Sequence, residues 1–161
     1  MDRQIISKVT VGISARHIHL NREDMDKLFG PGSELTFVKA LTQPGQFSAE
    51  EQVTLVGPKR EIKNVRVLGP LRAQTQVEIS RTDAFSLGIK PPVRDSGDLA
   101  NSAPLKVVGP KGEIELTEGA IIAKRHIHMT PQDSERLGLK DKDIVSVRVA
   151  EGDRALTFDQ V

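Results

Sequence analysis

The chain has 161 residues, 37% hydrophobic and 28% charged, a balance that suits one globular domain or two small interlocked ones. It excludes a disordered polar tail and a collagenous repeat, and no run approaches the roughly 20 apolar residues of a spanning helix. With 23 basic and 22 acidic residues and a net charge of +1, no bulk attraction toward nucleic acid or an anionic membrane is expected.

Cysteine is absent, which removes a disulfide framework, a thiolate zinc site and a cysteine nucleophile. Trp and Tyr are absent and Phe numbers 5, so aromatic base-stacking is not expected and the core must come from Val, Ile and Leu. The opening MDRQIISKVTVGIS has no apolar signal core and no long amphipathic extension. The expectation is a cytoplasmic protein.

Taken in chain order, Val9, Val11 and Ile13 alternate with Thr10, Gly12 and Ser14, which predicts a strand. Asn21 then caps a short helix in which Met25, Leu28 and Phe29 share a face. Residues 53–56, 65–68, 77–79, 105–108 and 144–149 are further β-rich runs. Turn signals separate them at Gly30-Pro31-Gly32, Gly57-Pro58, Gly69-Pro70 and Gly109-Pro110. Residues 90–103, KPPVRDSGDLANSA, read as a long loop, and Thr130-Pro131 opens a second short helix before Leu137. The pattern predicts a mainly β fold built as two small β-barrel domains capped by short α-helices.

The chain repeats itself. Arg16-His17-Ile18-His19-Leu20 returns as Arg125-His126-Ile127-His128-Met129, and NREDMDKL after the first copy resembles TPQDSERL after the second. A further echo links Val56-Gly57-Pro58-Lys59 to Val108-Gly109-Pro110-Lys111. Such a pseudo-repeat suggests two related units, with Lys59 and Lys111 at exposed hairpin ends.

All 4 histidines lie in the two His-x-His pairs. In a strand, residues i and i+2 point to one face about 6.5–7 Å apart along the backbone, so two imidazoles can converge on one metal. Neutral imidazole suits Zn, Cu, Fe or Ni. Two pairs allow two metals in one site or a single four-His site; the plain alternative is a strand with solvated histidines. In TQVEIS at 75–80, Val77 and Ile79 share one face, and Gln74, Gln76, Glu78 and Ser80 the other. Glu78 could complete a His₂Glu set with an open position, although spacing alone favours an ordinary solvated carboxylate.

Arg16 and Arg125 precede the pairs, Arg72 lies six residues before Glu78, and Arg94 sits in RDSGD. A guanidinium suits phosphate, but each arginine by itself reads as a surface residue. Ser14 has no Asp-His pattern for a catalytic triad, and GPKG at 109–112 lacks the glycines and spacing of a P-loop.

The runs SARHIHL, LGPLRAQTQVEIS, PPVRDSGDL and AIIAKRHIHMTPQDSERLGLKDKDIVSVRV, in this order over nearly the whole chain, resemble the phosphate propanoyltransferase family. These are the PduL-type phosphotransacylases of bacterial microcompartments and acetate-forming pathways. The resemblance implies two β-barrel domains with a di-zinc site between them and acyl exchange between coenzyme A and phosphate. It implies one zinc on His17, His19 and Glu78, a second on His126 and His128, and contact between Arg72 and phosphate as the catalytic arginine. Ser14, Gln43 and Arg94 are weaker substrate-site candidates.

The first barrel would span 16–124, and 1–15 with 125–161 would form the second. The substrates implied are phosphate and an acyl-CoA, propanoyl or acetyl, with a homodimer as the assembly. The family pattern continues past Val161 with a further metal-binding His in a His-x-Asp-x-Asp-Glu type segment. The second barrel is therefore expected to lack its C-terminal end here, and the second metal site to be incomplete. Alternatives of other classes are a metal-dependent acyl-CoA hydrolase and a non-enzymatic metal-binding module. The absence of a targeting extension favours a free enzyme over an encapsulated one.

Overall fold

The structure is a computed structural model that describes residues 5–161. It divides into two compact units, Ser14–Ala123 and the residues up to Ile13 with Lys124–Val161. In chain order the larger unit runs β1 (His17–His19), α1 (Arg22–Phe29), β2 (Phe37–Ala40), β3 (Phe47–Val56), β4 (Glu61–Gly69) and β5 (Gln76–Glu78). It continues with α2 (Arg81–Leu87), β6 (Val93–Arg94), β7 (Ala103–Val108) and β8 (Glu113–Ala123).

Six of these strands close into a barrel. β1 pairs parallel with β4 and antiparallel with β5. β4 pairs with β3, β3 with β7 and β7 with β8, all antiparallel, and β8 returns to β5 in parallel. β2 extends one side of β3, and β6 lies on β8. One buried cluster contains Ile18, Val53, Leu55, Val65, Val67, Val77, Leu105 and Val107, with Met25 and Leu28 from α1 and Ala84 and Leu87 from α2. This is the aliphatic core that a chain without Trp and Tyr requires.

The barrel carries a local two-fold that explains several sequence features at once. In the β1–β5 pair, Ile18 lies opposite Val77, His17 opposite Glu78 and His19 opposite Gln76. Each strand leads into a capped helix, and the caps match: Asn21 accepts from Asp24 N and Ser80 from Asp83 N. The acidic third residue of each helix is held by the residue just before the opposite strand. Thr75 Oγ1 donates to Asp24 at 2.5 Å, and Arg16 Nε donates to Asp83 at 3.0 Å.

The Val-Gly-Pro-Lys turns close the other end of the same arrangement. Lys111 N donates to Leu28 O at the end of α1, and Lys59 N donates to Leu87 O at the end of α2, each at 3.0 Å. Each hairpin turn thus satisfies a carbonyl that a helix C-terminus leaves unpaired. The Lys59 and Lys111 side chains are exposed, but the role the two copies share belongs to their backbone N–H.

Several sequence expectations are corrected. Val9, Val11 and Ile13 form no strand and are exposed; alternation supplies an apolar face, but no ladder partner meets it among the described residues. In 144–149 only Val147–Val149 pairs as a strand, while Val145 exchanges hydrogen bonds with Val161. The loop at 90–103 contains β6, held by Ile122 N donating to Pro92 O at 2.9 Å. The smaller unit carries α3 (Pro131–Leu137), with Thr130 as N-cap and Pro131 opening the helix, and the antiparallel pair β9 (Val147–Val149) and β10 (Leu156–Phe158). Among the described residues, no helix is long and apolar enough to cross a membrane.

Asp83 joins both parts of this design, since it closes the capping box of α2 and pairs with Arg16. Burial works against its charge, but the hydrogen bonds from Arg16 and Ser80 outweigh burial and hold its pKa below the usual carboxylate range. A carboxyl with a depressed folded pKa stabilises the fold above its unfolded pKa, and that stability is lost as pH falls through the folded value. Asp83→Asn is expected to cost about 1–2 kcal/mol near pH 7. In urea unfolding, the gap to the parent should narrow once pH falls below about 4.

Candidate metal centre

The antiparallel register of β1 and β5 sets the site. Ile18 and Val77 turn toward the core, so the intervening side chains of both strands share the other face. His17, His19 and Glu78 meet there, with one potential ligand atom from each lying within 4.8 Å of the others. His17 Nε2 stands 3.5 Å from Glu78 Oε2. Tetrahedral bonds of 2.0–2.2 Å imply ligand separations of roughly 3.3–3.5 Å, so this pair already has the required span.

The neutral ring of His19 and the ionised carboxylate of Glu78 suit a metal. His17 Nδ1 lies 2.9 Å from Ala15 O; a proton there leaves the Nε2 lone pair facing the cluster. His19 is 2% exposed, and its Nδ1 has no hydrogen-bond partner among the described residues. Burial, reinforced by the nearby charges of Arg72 and His17, lowers the His19 pKa to about 3, so the ring is neutral at pH 7. For Glu78, burial opposes ionisation, but the His17 hydrogen bond and the charges of both histidines bring its pKa down to about 2. For His17, burial likewise favours the neutral ring, yet the Glu78 and Ala15 hydrogen bonds and the Glu78 charge raise its pKa overall. Two imidazoles and one ionised carboxylate form a group that can hold a metal ion, so the reading of Glu78 as a solvated carboxylate is set aside.

Around this group runs a network that sequence reasoning missed. Gln76 Nε2 donates to Glu78 Oε1 at 2.6 Å and to Ser96 Oγ at 2.9 Å, and Gly97 N donates to Gln76 Oε1 at 2.7 Å. Ser96 Oγ donates to Glu78 Oε1 at 3.2 Å and accepts from Arg72 Nη1 at 3.2 Å. Arg72 is further fixed by its backbone N–H to Leu20 O at 2.8 Å. The sequence signals were the position of Gln76 two residues before Glu78 and the Ser96-Gly97 turn within RDSGD.

The remaining candidates stand apart from this network. Arg94 pairs with Asp98 at 3.5 Å. Gln43 lies in the turn between β2 and β3, where its carbonyl accepts from Gln46 N. Ser14 is exposed and its hydroxyl donates to Ala15 O at 3.5 Å. Arg16 is committed to Asp83, and Arg125 lies 5.2 Å from the Phe158 ring centre.

In the smaller unit, the second pair repeats the first in detail. His126 Nδ1 lies 2.7 Å from Lys124 O, again the carbonyl two residues back, and His126 Nε2 lies 3.1 Å from His128 Nε2. The rings meet edge-on in both pairs, at 4.7 Å here and 5.1 Å for His17 and His19.

The class these features define is a β-barrel protein with a His₂–carboxylate group that could hold a metal ion and an arginine tied to that group through Ser96. A model of the phosphate propanoyltransferase family matches residues 10–161. A phosphate propanoyltransferase of Thermotoga maritima is 62% identical over 153 residues, 95% of this chain and 73% of the relative. Those of Clostridioides difficile and Salmonella typhimurium are 54% and 52% identical over 95% of this chain, covering 73% and 72% of their own lengths. The chain belongs to the phosphate propanoyltransferase family and is an acyltransferase.

Proposed function

We propose that the chain exchanges an acyl group between coenzyme A and phosphate, with propanoyl- or acetyl-CoA as donor and acyl phosphate and coenzyme A as products. The observation that carries this reading is the cluster of His17, His19 and Glu78 with the Arg72 guanidinium tied to it through Ser96. Zinc fits the two imidazoles and one carboxylate of the first site. We assign a second zinc to His126 and His128, whose rings share the geometry of the first pair. Ser14, Gln43 and Arg94 are substrate contacts in this reading, and the two units correspond to the two barrel domains of the family.

In the forward direction a phosphate oxygen attacks the thioester carbonyl carbon. The carbon–sulfur bond then breaks, and coenzyme A leaves as its thiolate. Phosphate is largely dianionic at neutral pH, so the main barrier is bringing an anion to a thioester on a second anion. Bound zinc would supply Lewis-acid charge neutralisation there. Arg72 supplies a permanent cation whose planar fork suits two phosphate oxygens. Its backbone bond to Leu20 and its side-chain bond to Ser96 hold the fork in place before substrate arrives, so little ordering remains for the encounter. No side chain in the cluster is an activated nucleophile, which suits direct attack over a covalent acyl-enzyme.

Arg72→Ala is expected to lower kcat/KM for phosphate by about 10- to 100-fold, the equivalent of a lost charge-assisted pair. The KM for acyl-CoA should change far less. Steady-state kinetics varying each substrate checks this. The reading itself is tested by product identity: hydroxylamine should trap acyl hydroxamate from propanoyl-CoA only when phosphate is present. A free carboxylic acid formed without phosphate would instead make the chain an acyl-CoA hydrolase.

A further inference from the structure

The local two-fold of the barrel places four side chains on the face that carries the cluster, and His17, His19 and Glu78 are three of them. The fourth is Gln76, opposite His19 in the ladder and the two-fold counterpart of His17. It is 1% exposed, and its amide nitrogen and oxygen are both engaged. We propose that Gln76 is the positioning residue of the metal centre, locking the Glu78 carboxylate so that one oxygen is held and the other is presented to the metal. This rests on the metal-binding reading of His17, His19 and Glu78.

The bonding pattern carries the argument. Glu78 Oε1 accepts from both Gln76 Nε2 and Ser96 Oγ. Glu78 Oε2 is the oxygen that faces His17 Nε2. A carboxylate with one oxygen held by two donors is restrained about its last torsion and presents a single oxygen. Gln76 Oε1 meanwhile accepts from Gly97 N, so the same amide fastens the Ser96-Gly97 turn over the centre. Orientation of the ligand and docking of the turn that contacts Arg72 are therefore coupled through one side chain.

Other residue types cannot make this set of bonds. A glutamate at 76 would set a second carboxylate against Glu78. An asparagine is one methylene short of spanning Glu78 and Gly97 together. An imidazole has two ring nitrogens for bonds that here engage two donor hydrogens and an acceptor oxygen.

The test compares the parent chain with Gln76→Met, which keeps length and volume but has no amide, and with Gln76→Asn. Zinc affinity is measured by competition with a chromophoric chelator, and Co²⁺ serves as a spectroscopic probe. Thermal unfolding of the metal-free chain reports stability separately. We expect zinc affinity to fall about 10- to 100-fold in both variants, the range for outer-shell partners of metal ligands. The Co²⁺ ligand-field spectrum at saturation should also shift, which a loss of stability alone would not produce. Affinity within twofold of the parent in a folded variant, with an unchanged cobalt spectrum, overturns the proposal and leaves the metal reading standing. A parent that binds neither ion overturns both. If neither variant folds, Gln76 serves stability, and the positioning role is overturned.

Discussion

His17→Ala is expected to abolish measurable transacylation while the barrel remains folded. The loss should reach at least about 1000-fold, because removing a ligand forfeits the several kcal/mol of charge stabilisation that a Lewis acid provides. The fold should survive because the partners of His17 are not stranded. Glu78 keeps its bonds from Gln76 and Ser96, and Ile18, the adjoining core residue, is untouched. His19→Ala is a less clean experiment, since His19 is buried and its removal opens a cavity in addition to deleting a ligand. Turnover, zinc content and far-ultraviolet circular dichroism on His17→Ala together check the claim. Near-parental turnover with zinc lost would sever the metal from the chemistry.

The second large effect concerns folding. Gly57 and Gly109 each lie where a hairpin turn presses on a helix end. A Cβ on Gly109 would fall 2.5 Å from Leu28 O, and one on Gly57 would fall on the Leu87 carbonyl, 2.8 Å from its carbon. In both places the obstacle is backbone, which cannot rotate aside. Accommodating a methyl group means lifting the turn off the helix, and this breaks the Lys59 N to Leu87 O bond in one case and the Lys111 N to Leu28 O bond in the other. Overpacking and the lost bond together predict about 2–4 kcal/mol of destabilisation for either Gly57→Ala or Gly109→Ala. Gly12→Ala, with nothing within 4 Å of its Cβ, should change stability by less than about 0.5 kcal/mol. Urea midpoints compare the three. A Gly57→Ala chain as stable as Gly12→Ala would contradict the role assigned to these turns.

Much of this architecture was legible in the sequence where a feature is local. The Asn21 and Thr130 caps, Pro131 and the Gly-Pro hairpin turns depend on residues next to one another, and each appears where its pattern places it. The His-x-His repeat was equally plain, and its two copies share ring geometry and the carbonyl contact two residues back. Two further local signals went unread: Ser80 and Asp83 at capping-box spacing before α2, and the Glu-Ile-Glu-Leu alternation opening β8.

Other features depend on tertiary pairing and left no such trace. Glu78 looks like a solvent-side carboxylate in TQVEIS because alternation tells one face from another but not whether the second face is covered. β5 is buried on both faces, since Ser96 and Gly97 from a distant segment close over Gln76 and Glu78. The Val-Gly-Pro-Lys echo was visible as a repeat, but its purpose rests on helix ends some 28 to 83 residues away, as the Lys59–Leu87 and Lys111–Leu28 bonds show in their numbering. The Val9–Ile13 alternation failed in the opposite sense: a strand pattern that meets no ladder remains exposed chain.

Phosphate-dependent acyl transfer at a barrel face that holds a metal is the central proposal. The most direct measurement is thiol release from propanoyl-CoA by the metal-loaded chain, with and without phosphate, repeated after treatment with a chelator. The expected result is release only with phosphate, loss of release on chelation, and recovery when zinc is restored. Release without phosphate, or phosphate-dependent release that persists in a chain shown to be free of metal, would contradict it.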